Sequence, residues 1–126
     1  MRGVSAPRGA RRLAALAWAL ALSACSHVNV VGAQRTLTVG LTDYRLTPQN
    51  VRFAQGELTI IVRNYGRLAH NLTVRMASVS EGTTPPLLPG QTAQLAVYLP
   101  PGKYVMASTI LSDQALGAYG TLTVTP

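Results

Sequence analysis

Few side chains in this 126-residue chain are able to do chemistry: one cysteine, Cys25; two histidines, His27 and His70; and four acids, Asp43, Glu57, Glu81 and Asp113. Ser108 and Asp113 stand five apart and, taken with His70, supply the residue types of a hydrolytic triad. Such catalysis also needs an exposed nucleophile and oxyanion donors. No nucleophile-elbow glycines surround Ser108, so an enzyme is not expected. One imidazole plus one carboxylate makes an incomplete site for copper or zinc, which take three or four good protein ligands. Met106 alternates with Tyr104 and Ser108 on one strand face and reads as core filler. Met76 follows the strand that His70 begins. His27 lies in a stretch without periodicity and reads as a tether residue.

Cys25 belongs to a different chemistry. Met1 to Arg12 is basic, and Leu13 to Leu22 is an apolar run of ten residues, too short to span a bilayer. The run ends in Leu22-Ser23-Ala24-Cys25, which resembles a bacterial lipobox, where the thiol receives a diacylglyceryl group and becomes the new N-terminus. Residues 1–24 are therefore expected to be a lipoprotein signal peptide, residues 25–35 a lipidated tether, and residues 36–126 the domain. Two acyl chains hold a protein stably on a membrane. A blocked Cys25 leaves the domain without a disulfide. The net charge of +7 is largely the leader's: beyond it, seven basic residues face four acids, a net of +3, and they are spread singly. Nucleic-acid binding is not expected.

The elements that must position these residues are strands. Leu37, Val39 and Leu41 alternate with Thr36, Thr38 and Gly40. Tyr44 to Phe53 reads as an extended, irregular segment, and Pro48 argues against a central strand there. Glu57 to Asn64 is the most strand-like run, and His70 to Arg75 is expected to be the next strand. Met76 to Gly90 reads as a long connection. Gln91 to Leu99 alternates again, as does the run after Gly102. Ile110 to Gly120 reads as a loop, and Thr121 to Val124 as the closing strand. About seven short strands separated by turn signals argue for an all-β, antiparallel Greek-key β-sandwich.

The stretch GKYVMASTILSDQALGAYGTLTV, Gly102 to Val124, resembles the C-terminal segment of cupredoxins, the blue-copper proteins. Single-domain bacterial members read roughly Tyr-x-Tyr-x-Cys-Thr-x-Pro-Gly-His-x-x-x-Gly-Met-x-Gly-Thr-Leu. Tyr104, Thr109, Gly117, Gly120, Thr121 and Leu122 match, whereas Ser108 stands for the Cys, Asp113 for the His and Ala118 for the Met. Upstream, Asn64-x-Gly66-x-x-x-His70-Asn71 resembles the segment that carries the family's first copper ligand, and His70 takes that place. The resemblance spans Thr36 to Val124. It implies a cupredoxin-like fold, with His70, Ser108 and Asp113 near one another and His70 paired with Asp113 beneath the loop.

What it implies for function is a membrane-anchored, extracytoplasmic domain in a bacterium, lacking the type 1 copper ligands at 108, 113 and 118. Such a domain would act as a binding or accessory module, with no cofactor. Its partners would be the membrane, through lipid on Cys25, and an envelope or membrane protein. The alternative is a copper-binding protein that holds Cu(II) at a non-blue site through His70, with Asp113 and His27.

Overall fold

The computed structural model describes Gly3 and residues 27–126; the rest of the expected leader and Cys25, the expected acylation site, lie outside the described residues. Among the described residues, ten strands form two packed sheets, with one short helix beside them. The larger sheet runs β1 (Asn29–Val30), β4 (Asn50–Ala54), β10 (Tyr119–Thr125), β9 (Gly102–Ala107), β6 (Thr73–Met76), β7 (Val79–Thr83). The smaller runs β3 (Arg45–Thr47), β2 (Thr36–Thr42), β5 (Gly56–Asn64), β8 (Thr92–Leu99). Helix α1 (Asp113–Leu116) lies between β9 and β10.

Period-two alternation builds the core. Leu37, Val39 and Leu41 of β2 and Leu58, Ile60 and Val62 of β5 are buried from one side. Val51, Phe53, Val74, Tyr104, Met106, Leu122 and Val124 meet them from the other sheet, and Met106 is core as expected. Each such side chain, moved out of water, contributes about 1.5–3 kcal/mol, which carries the fold in the absence of a disulfide among the described residues.

The all-β sandwich is as expected, but the strands exceed seven, for identifiable reasons. β3 and β4 occupy the segment read as irregular, on either side of Pro48, which sits where no ladder bond is needed. β7 falls inside the expected long connection; its exposed, polar face hides the alternation that marks a strand. Part of the expected tether is docked: Asn29 and Val30 pair with Val51 and Arg52, and Val31 packs on the core. Three ladders are parallel, namely β1–β4, β10–β4 and β2–β5, and the others antiparallel. The strand expected from His70 begins only at Thr73. Its first residues bond elsewhere: His70 exchanges backbone bonds with Leu87, and the Asn71 and Leu72 N–H groups donate to the Ser108 and Thr84 hydroxyls. The expected Ile110–Gly120 loop contains α1 and gives up Tyr119 and Gly120 to β10.

One end of the sandwich collects the segments of interest: the β2–β3 turn at Asp43–Tyr44, the Asn64–His70 connection, and the 108–118 segment. Tyr44 sits at φ 65, in the left-handed region. Its carbonyl lies so close to Gly117 that a Cβ there would come within 2.8 Å, and Gly117 itself is at φ 123. Glycine at 117 thus lets the hairpin tip and the loop after α1 close on each other.

Candidate functional site

His70 is the centre of this end, with no exposed surface. Its Nδ1 lies 2.7 Å from Asp113 Oδ2 and its Nε2 lies 2.9 Å from Asp43 Oδ1. Asp113 is nearly buried, whereas Asp43 keeps 30% of its side chain exposed. Ser108 Oγ donates to the same Asp113 Oδ2 at 2.6 Å and accepts the Asn71 N–H at 3.2 Å. Asn71 Oδ1 accepts the Thr109 N–H at 2.7 Å while its amide donates to Thr109 Oγ1, tying the His70 segment to the end of β9. Backbone bonds draw the remaining position in: Ser108 N–H donates to the Ala118 carbonyl, and Ala118 N–H to the Asp113 carbonyl.

Local sequence explains these placements. Asn64 ends β5 buried; its amide donates to the Leu68 and Leu87 carbonyls and its Oδ1 accepts the Gly66 N–H, so one side chain shapes the whole connection to His70. Gly66 admits the ion pair. A Cβ at 66 would run into Asp43 Oδ1 and stand 3.0 Å from His70 Nε2. Asp43 is held in place by the Arg67 and Leu68 N–H groups, which donate to its carboxylate.

Both ring nitrogens face carboxylate oxygens, an arrangement fully satisfied only by the doubly protonated imidazolium. Burial is the largest influence on His70 and disfavours that charge. The hydrogen bonds that His70 donates to Asp43 and Asp113, together with the negative charges of those carboxylates, outweigh it and raise the pKa above its ordinary 6.5. The hydrogen bond from His70 in turn lowers the Asp43 carboxyl below its ordinary range; partial desolvation opposes this, and the Leu68 and Arg67 N–H groups assist it. No buried side-chain polar atom among the described residues is left without a partner.

The structure therefore brings together His70, Ser108, Asp113 and the backbone of Ala118. The expected His70–Asp113 pairing is present. His27 is not part of this cluster; it lines a separate groove with Arg45, Pro48 and Gln49. Asp43 was missed by sequence reasoning. The available signal was an acid just after the alternating Thr36–Leu41 run, where the strand pattern stops. The triad reading fails on order: Asp113 stands between Ser108 and His70, so the hydroxyl gives its proton to a carboxylate and no imidazole abuts it. Asp43 and Asp113 sit against opposite ring nitrogens. Among the described residues, no group of three or more His, Cys, Asp or Glu side chains is placed to hold a metal ion.

Comparison with known proteins agrees with this architecture. No curated protein sequence is significantly similar. Among solved structures, auracyanin from the photosynthetic bacterium Roseiflexus castenholzii superposes with a TM-score of 0.68 at 19% identity, covering 75% of this chain and 100% of that one. Auracyanin A, a "blue" copper protein of the green thermophilic photosynthetic bacterium Chloroflexus aurantiacus, gives 0.63 at 16% identity, over 77% and 100%. A purple cupredoxin from Nitrosopumilus maritimus gives 0.54 at 18% identity, over 71% and 99%. At these identities the likeness carries the fold, which is of the type that copper-binding proteins use. The sequence model of the cupredoxin-like domain matches residues 12–124, nearly the whole chain, and the chain belongs to the cupredoxin-like family.

Proposed function

We propose that this chain is a membrane-anchored, extracytoplasmic cupredoxin-fold module that works by binding a membrane or envelope protein, and that its metal position has been taken over by an ion-paired histidine. One observation carries the reading: both ring nitrogens of His70 are engaged by carboxylates, at 2.7 and 2.9 Å. A type 1 copper centre needs two imidazoles, a thiolate and a weak axial ligand. The residues present do not fit it. A metal ion would have to displace a carboxylate from His70, both of whose ring nitrogens are engaged. It would then meet a hydroxyl at Ser108, whose proton is committed to Asp113, and a methyl at Ala118. In this reading Ser108, Asp113 and Ala118 are lost ligand positions, and the polar network that replaces the ligands fixes the loops for recognition.

The anchoring half rests on the Leu22–Cys25 motif; among the described residues no helix is long and apolar enough to cross a membrane. Titration of the purified protein with Cu(II), followed by calorimetry and absorption, tests the site. The expected result is no thiolate-to-copper band and no stoichiometric site that depends on His70. A saturable site lost in His70→Ala, with folding checked by circular dichroism, would overturn the reading in favour of non-blue copper binding.

A further inference from the structure

Resting on the lipid-anchor reading of Cys25, we infer that the His70 end of the sandwich docks on the surface of the bilayer that holds the anchor. The inference begins with where the described chain starts. β1 runs parallel to β4, with Asn29 opposite Val51, and β4 runs parallel to β10, with Val51 opposite Leu122. Followed backwards, the chain before Asn29 heads toward Gln49 and Gly120. His27 does line a groove with Arg45, Gln49 and Asn50. That is the end at which β10 begins beside the 108–118 segment. Cys25 precedes His27 by two residues, a reach of at most about 7 Å. A lipid on Cys25 therefore enters the bilayer beside this end and cannot hold the opposite end there instead.

The surface at this end is suited to lipid. Leu111 is 97% exposed, at φ 50, on a loop tip. Tyr119, which lines a hollow with Leu111, is exposed too, as are Leu116 at the end of α1, Leu68 and Tyr65 on the Asn64–His70 connection, and Tyr44 on the hairpin tip. Large apolar side chains gathered on loop tips mark an interaction surface, and tyrosines belong at the membrane interface. Charge agrees. Exposed Arg45, Arg63 and Arg67 lie at this end, whereas its two acids, Asp43 and Asp113, are both held by His70. Glu57, second residue of β5, lies at the far end and Glu81 lies partway along β7. Basic residues around an apolar tip favour an anionic leaflet.

The test uses the full chain, expressed, purified and reconstituted into vesicles of phosphatidylcholine mixed with phosphatidylglycerol, with and without lipids brominated in their acyl chains. Leu111→Trp reports on this end, and Tyr98→Trp, exposed on β8 opposite Glu57, reports on the other. The unsubstituted protein supplies any background from Trp18, its one tryptophan. Docking predicts that bromolipid quenches the Leu111→Trp emission at least about twofold, as for a group entering the interface, and leaves Tyr98→Trp unchanged. Equal emission with and without bromolipid at both positions overturns the inference, as does equal quenching at both. A blue shift of Leu111→Trp that grows with protein concentration without lipid also overturns it, assigning the face to a second copy. The mass of the N-terminal peptide shows whether Cys25 is acylated. If it is not, the anchor reading fails by itself. Coupling Cys25 to a maleimide lipid then lets the same quenching contrast decide the docking surface.

Discussion

Replacing Asp113 with asparagine separates the charge of the site from its shape. The amide is nearly isosteric, and its oxygen is able to take the place of Asp113 Oδ2, which accepts from both His70 Nδ1 at 2.7 Å and Ser108 Oγ at 2.6 Å. What is lost is charge assistance, worth about 1 kcal/mol in each of the two bonds at a buried site. Asp113→Asn is thus expected to lose about 2 kcal/mol at pH 5, lowering the midpoint of thermal unfolding by roughly 8–16 °C in a domain of this size. The loss should shrink at alkaline pH. The folded pKa of His70 is raised, so its stabilising contribution is whole below the unfolded value of 6.5 and disappears as pH rises through the folded value. Above that point a neutral imidazole leaves one ring nitrogen facing a carboxylate oxygen in the parent. The asparagine, by contrast, can turn its amide to donate to Nδ1, while Ser108 redirects its proton to Asn71 Oδ1, 3.3 Å away. Thermal melts by circular dichroism at pH 5 and pH 9, with an NMR titration of the His70 ring, provide the assay. Equal destabilisation at both pH values, or a His70 titration unmoved by the substitution, would refute the account of the pair.

Gly66→Ala should break the Asp43–His70 contact, because its methyl runs into Asp43 Oδ1; overpacking of this kind costs about 1–3 kcal/mol, and the His70 titration should shift toward lower pH. Asp43 has the opposite linkage: its carboxyl is lowered, so its contribution is present above 3.8 and lost as pH falls through the folded value, which puts maximum stability of the unsubstituted protein between about pH 4 and 6.5. Ser108→Cys, Asp113→His and Ala118→Met together should yield at least a weak thiolate-to-copper band with Cu(II), since backbone bonds already hold 108, 113 and 118 together. A folded, colourless triple variant would mean that these positions do not surround His70 as a ligand set must. Cys25→Ala should abolish acyl labelling and release the protein from membranes; unchanged labelling would remove the lipid anchor.

The sequence by itself determined the layers. Leu37, Val39 and Leu41, the run from Glu57 to Asn64, and Tyr104, Met106 and Ser108 alternate because a strand presents every second residue to one side, and such a pattern survives in any partner arrangement. Matched residues around His70 and from Tyr104 to Leu122 carried the family and, with it, the meeting of His70 with Asp113. Tertiary structure alone decided which strands pair and in which direction. Periodicity is blind to whether β2 lies parallel to β5 or β10 to β4, and β7 and β1 are strands only because a neighbouring edge offers them hydrogen bonds. Tertiary structure also decided the second half of the ion pair. Asp43 is 27 residues from His70 along the chain, and it reaches Nε2 only because a tight β2–β3 turn, a bare glycine at 66 and two donated backbone N–H groups converge on one carboxylate. A residue's type announces what it is able to bond; which partner it finds depends on distances that only the packed sandwich sets.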